Sequence, residues 1–164
     1  MCKISEQSSG QLSNTLGQLS ELWTFVYGTL KPGGRYHPRY CEDYLTEAVP
    51  ALVRGYLYDF PQLGYPALTL PDKAQRDSWV SGYVLKFSQP PAICTEILQR
   101  LDRLEGYDPR KTAQENDYER CQLQTFSLEQ QPLRTVWGYV MTAEQVRSLK
   151  GIYLPTGNWP VGAK

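Results

Sequence analysis

One stretch of this chain carries sustained helical periodicity, and it is short. Ile93, Ile97, Leu98, Leu101 and Leu104 recur at helical spacing. Pro90-Pro91 stands before them and Gly106 after them, which are start and stop signals for a helix over Ile93–Glu105. Around it lie short β-branched and aromatic runs punctuated by Pro and Gly. Strands are expected at Trp23–Tyr27, Val53–Phe60, Trp79–Phe87, Tyr118–Leu128 and Thr135–Met141. Two minor helical segments are expected, a turn over Tyr40–Tyr44 and a short helix over Ala143–Leu149. KPGGRYHPR (Lys31–Arg39) and the segment through Gly64 and Pro66 read as loops, as does the charged stretch Asp108–Asp117. Gly-Tyr-aliphatic occurs three times, at Gly55, Gly82 and Gly138, but at unequal intervals, so it marks similar strands and not a solenoid. Glycine within strands permits the bends that barrels need. One long helix among many short strands gives an α+β class with the sheet curled toward a barrel.

With 164 residues, 41% of them hydrophobic, the chain suits one domain with a real core. Residues 1–20 are polar and of low complexity and are expected to form a tail, with a short helix around Leu12–Leu19 as an alternative. The folded domain is expected over residues 21–164. Lys+Arg and Asp+Glu balance at 17 each, with no dense basic run, so neither a nucleic-acid nor a membrane-surface partner is expected. No apolar run reaches the roughly 20 residues of a membrane span, and the leading segment lacks a signal's apolar stretch, which points to the cytoplasm. Cys2, Cys41, Cys94 and Cys121 form no CxxC pair and are expected as free, mostly buried thiols. His37 is the single histidine, which removes HExxH and multi-histidine metal centres. No GxxxxGK[ST] loop is present. Neither a metal nor a cofactor is expected.

Three groups remain as candidates for chemistry. On a helical wheel Glu105 falls inside the apolar arc, between Leu101 and Leu98, while Glu96, Gln99, Arg100 and Arg103 point away. A carboxylate on a buried face, at the negative end of the helix dipole, has its pKa raised toward the range useful for general acid–base work. The alternative is a terminal glutamate that swings to solvent past Gly106. Tyr27-Gly28-Thr29-Leu30 ends a strand in a glycine turn, which can present successive N–H groups to a carboxylate or an oxyanion. In Tyr118-Glu119-Arg120, strand alternation puts Tyr118 and Arg120 on one face, either inward to hold a substrate or in a surface ladder. His37, among prolines, fits a loop-stapling hydrogen bond.

Several stretches together resemble the γ-glutamylcyclotransferase-like superfamily, which includes AIG2-like proteins and γ-glutamylamine cyclotransferases. They are FVYGTLKPGG (25–34), VRGYLYDFPQLGYPAL (53–68), VSGYVLKF (80–87), LDRLEGYDP (101–109), DYERCQLQ (117–124) and the late GNW (157–159). The resemblance implies a compact mixed barrel with flanking helices. It implies that Tyr27, Gly28, Thr29 and Leu30 line the substrate pocket and that Glu105 is the acid/base, with Tyr118 as a further pocket residue. The reaction it implies is attack of the α-amine of a small γ-glutamyl compound on its own γ-carbonyl, an intramolecular acyl transfer giving 5-oxoproline and an amine. Gly64–Leu70 and Asp108–Asp117 are then the segments toward the leaving amine. Two other readings stay open: a non-catalytic binding module, and an enzyme that removes a γ-glutamyl protecting group in a biosynthetic pathway. The leaving amine and the oligomeric state are not specified.

Overall fold

The structure is a computed structural model that describes residues 20–72 and 78–162. The expected tail and its alternative helix therefore lie outside the described residues, except for Ser20. Strand β1 (Glu21–Val26) pairs antiparallel with β5 (Trp79–Ser88), from Glu21–Ser88 to Val26–Tyr83. The other edge of β5 takes β2 (Glu47–Arg54), which passes to β6 (Glu119–Phe126) at Leu52 and Val53. β6 forms a hairpin with β7 (Pro132–Val140), and β7 meets β1 in parallel at Thr24–Trp137. The result is a closed mixed barrel in the order β1-β5-β2-β6-β7. The Thr24 hydroxyl donates to the Trp137 carbonyl at 3.0 Å and reinforces that parallel seam.

A second, antiparallel sheet places β3 (Tyr56–Phe60) between β4 (Tyr65–Thr69) and β8 (Ile152–Tyr153). Three helices flank the sheets: α1 (His37–Tyr40), α2 (Pro91–Leu104) and α3 (Ala143–Ser148). None is long and apolar enough to cross a membrane. α2 is the helix expected from the periodicity, and α3 begins with a capping box between Thr142 and Gln145.

Four sequence expectations are corrected. Val53–Phe60 is not one strand: it breaks at Gly55, where the chain leaves the barrel for the second sheet. A methyl group there would stand 2.6 Å from the Thr69 carbonyl oxygen, so the crossing needs glycine. The loop through Pro66 is largely β4, and β2 begins at Glu47, before the expected start. The helical turn expected over Tyr40–Tyr44 is a 3₁₀ turn over Glu42–Tyr44, and α1 occupies the end of the segment expected as loop, Lys31–Arg39.

Strand alternation sends side chains into two clusters. Phe25, Ala51, Val53, Val80, Val84, Leu123 and Val136 fill the barrel. Leu22, Val26, Leu85 and Phe87, on the opposite faces of β1 and β5, pack against Cys94, Ile97, Leu98 and Leu101 of α2. That packing fixes where the end of α2 lies. Cys41, Cys94 and Cys121 are buried thiols outside any disulfide.

Candidate active site

The last turn of α2 delivers Glu105. Its N–H closes the helix on the Leu101 carbonyl at 2.9 Å, and Gly106 turns the chain with φ +64°. Tyr107 N–H returns to the Asp102 carbonyl at 2.9 Å, so the residues flanking Glu105 are fixed on both sides. Glu105 is half-buried and lines a cavity of about 150 Å³ between the end of α2, the turn after β1 and the start of β4. Among the described residues no donor or cation is hydrogen-bonded or paired to its carboxylate. Burial alone raises its pKa from 4.5 to about 7. The carboxylate that the wheel placed on the apolar arc thus opens onto a cavity and not onto bulk solvent past Gly106.

Another part of the wall is the turn Gly28–Leu30. Its carbonyls are all taken: Gly28 by Lys31 N–H at 3.1 Å, Thr29 by Tyr36 N–H at 3.0 Å, Leu30 by His37 Nδ1–H at 2.7 Å. The N–H groups of Gly28, Thr29 and Leu30 have no acceptor among the described residues. Gly28 and Leu30 are buried, and buried donors are rarely left unpaired unless a ligand or water is meant to take them. Lys31, itself buried, anchors the turn from behind: its ammonium donates to the Trp159 carbonyl and to Asn158 Oδ1 at 3.3 Å. Gly28 is held at close range by Pro66, whose ring carbons would lie 2.7 and 2.8 Å from any Cβ there.

Tyrosines line the remaining walls. The Tyr27 hydroxyl donates to the Tyr139 carbonyl at 2.8 Å and accepts from Leu68 N–H at 3.2 Å, so it holds β1, β4 and β7 together. Tyr118 stands just before β6 and lines the cavity, and its hydroxyl donates to the Pro66 carbonyl at 2.7 Å. Burial first, and then the neighbouring Tyr27 and Glu105, raise the Tyr118 phenol far above its ordinary value, so it remains protonated. Tyr118→Phe leaves the buried Pro66 carbonyl without a partner. We expect a loss of roughly 1–3 kcal/mol in stability, measured by denaturant unfolding. Because Pro66 is also the wall against Gly28, a lower kcat per folded molecule should accompany it.

Arg120 shares the face of Tyr118, as alternation requires, yet is neither a cavity residue of this site nor a surface group. It pairs with Asp102 at 2.8 Å, packs over Trp137 and Tyr107, and lines a separate cavity between α2, β1 and β7. His37 staples the turn. The sequence did not single out Tyr36, Tyr65, Pro66, Asp117 or Tyr139, which also line the site. Tyr65, Pro66 and Asp117 fall within the two segments that the family resemblance set toward the leaving amine.

Solved structures share this arrangement of strands and helices. An AIG2-like protein from Mus musculus superposes with a TM-score of 0.54 at 19% identity, over 88% of this chain and 99% of that one. A γ-glutamyl cyclotransferase superposes at 0.52 with 19% identity, over 82% and 69%. YkqA from Bacillus subtilis does so at 0.55 with 17% identity over 85% of this chain, which spans 39% of YkqA's length. No curated protein sequence matches the chain. The fold is thus that of the γ-glutamyl-cyclotransferase-like barrels. The chain itself belongs to the γ-glutamyl cyclotransferase, AIG2-like family, whose model matches residues 24–161.

Proposed function

We propose that this protein cyclises a small γ-glutamyl amide to 5-oxoproline and a free amine, with Glu105 as the general acid/base. The observation that carries the reading is the presence, in the lining of one cavity, of a desolvated carboxylate and of three consecutive residues whose N–H groups have no acceptor among the described residues. A group with a pKa of about 7 is present in both protonation states at neutral pH, as one residue serving as base and then acid requires.

In this reading Glu105 takes a proton from the substrate's α-ammonium, and the freed amine attacks the γ-carbonyl carbon. The carbonyl oxygen becomes an oxyanion, held by N–H groups of the Gly28–Leu30 turn. The new C–N bond forms, the old one breaks, and Glu105 returns its proton to the departing nitrogen. Overall the α-ammonium loses two protons and the released amine ends with both, so no acid or base is consumed. Attacking and attacked atoms belong to one molecule, so positioning supplies much of the acceleration.

The test is a set of γ-glutamyl amides scored for 5-oxoproline release by the purified protein. Release that depends on Glu105 supports the reading. Saturable binding of these compounds with no release would make the protein a binding module instead.

A further inference from the structure

The titratable side chains that share the cavity with Glu105 are Tyr27 from β1, Tyr36 from the loop before α1, Tyr65 from β4, Asp117 and Tyr118 from the segment before β6, and Tyr139 from β7. No Lys, Arg or His lines it among the described residues. A tyrosine beside a buried carboxylate is a natural donor to it, yet the three buried tyrosines send their protons elsewhere. Tyr27 donates to the Tyr139 carbonyl and Tyr118 to the Pro66 carbonyl. Tyr139 donates to Asp102 Oδ1 at 2.7 Å. Burial first, with the charge of Glu105 among the further causes, raises all three phenols, so each keeps its proton at neutral pH. Tyr36 and Tyr65 are half-buried, and their hydroxyls have no hydrogen-bond partner among the described residues.

Two of those protons go to main-chain carbonyls, which the fold itself fixes. The third is directed by a side chain. Asp102 stands three residues before Glu105 in α2, and side chains at that spacing are neighbours on one face. Its second oxygen takes Arg120 Nη1 at 2.8 Å, and Arg120 packs against the rings of Tyr107 and Trp137. Burial raises the Asp102 pKa, while the Tyr139 hydroxyl, Arg120 and, last, Arg103 work against the rise. Resting on the cyclotransferase reading, we propose that Asp102 is a positioning residue for Glu105: by taking the Tyr139 proton it leaves that hydroxyl able only to accept in the cavity, so Glu105 has no fixed donor and stays free to exchange a proton with the substrate. A donated hydrogen bond would favour the charged carboxylate and weaken it as a base, whereas an accepting oxygen favours the protonated form.

Asp102→Asn reverses the arrangement. Arg120 still requires an acceptor and holds the amide oxygen on its own side, which turns the amide N–H groups to the Tyr139 oxygen and releases the Tyr139 proton toward Glu105. The Glu105 pKa is read by carbon NMR of its labelled carboxyl, assigned by the signal's loss in Glu105→Gln. In Asp102→Asn it is expected to fall by roughly one to two pH units, the scale of a hydrogen bond to a charged group. The acid limb of kcat/KM should move with it. Tyr139→Phe alone should leave that pKa unchanged or lower, and in the Tyr139→Phe background Asp102→Asn should no longer move it. Loss of folded protein produces no such pattern. Three results would each overturn the proposal: no fall in Asp102→Asn, an equal fall in the Phe background (Asp102 then acts by its charge alone), or a rise in Tyr139→Phe, whose proton would then have been on Glu105 from the start. If Asp102→Asn does not fold, Tyr139→Phe decides, since it keeps the Asp102–Arg120 pair: an unchanged or lower pKa supports the proposal and a rise sinks it. Should no γ-glutamyl amide release 5-oxoproline, the cyclotransferase reading falls by itself, and the NMR titrations still decide where the Tyr139 proton goes.

Discussion

If Glu105 is the acid/base of the proposed reaction, Glu105→Gln is expected to lower kcat for 5-oxoproline release by about 10²–10⁴-fold, the usual cost of losing a general acid–base group, and at the same time to make the protein more stable in mild alkali. The second effect follows from the direction of the shift. Folding raises the carboxyl pKa from 4.5 to about 7, so the native state holds a proton that the unfolded chain gives up. Stability contributed by that proton is complete below about pH 4.5, declines as pH rises, and is gone above about pH 7. Roughly 3 kcal/mol is at stake, at 1.36 kcal/mol per pKa unit. The amide carries no charge, so the variant gains stability over wild type at pH 8 and none at pH 4. Denaturant melts at the two pH values, with rates on the same preparation, check both halves. A variant with near-normal rates would remove Glu105 from the chemistry, and one with no pH-dependent gain would place its carboxylate in water.

Gly28→Ala has the next largest effect, because the new methyl group meets backbone-anchored atoms and not a flexible side-chain end. It would sit 2.7 Å from Pro66 Cγ, in a strand whose Pro66 carbonyl is already fixed by Tyr118. Either β4 or the turn must move. Overpacking of this kind costs about 1–3 kcal/mol. Displacing the Gly28–Leu30 N–H groups by even a fraction of an ångström should lower kcat by up to roughly 10²-fold. The measurement is kcat at saturating substrate together with the unfolding midpoint. Normal kcat with a lowered midpoint would show that the turn's N–H groups play no part in turnover.

What could be read beforehand depended on whether the signal was local. α2 was legible because Pro90-Pro91, Gly106 and a five-residue apolar arc lie in one short stretch, and the same arc singled out Glu105. β4 and the start of β2 were hidden by Pro66 and Pro50, which argue against strand. Both prolines occupy places where the lost N–H is not needed: β4 is the outer strand of its sheet, and at Pro50 β2 has a neighbour only on its β5 side. In the candidate site, the glycine turn and the carboxylate could be proposed singly. Tyr36, Tyr65 and Tyr139 could not, since each is one tyrosine of twelve, and only the closed barrel brings those three to one cavity. Arg120 shows the converse: period two gave its face correctly but not its partner, Asp102, which lies on another element.

Closure of the barrel also sets when this protein can begin to work. β1 completes its pairing with a strand that meets it 113 positions later, and the cavity draws on residues from Phe25 to Tyr139. A chain still emerging from the ribosome therefore holds β1 with an open edge until β7 is released. Pairings this distant in sequence place folding toward the slow end of small-domain rates, on the order of milliseconds to seconds. Over that interval the aromatic edge of β1 is exposed to other nascent chains, and a message truncated before Pro132 yields an open sheet prone to edge-to-edge association instead of a smaller barrel.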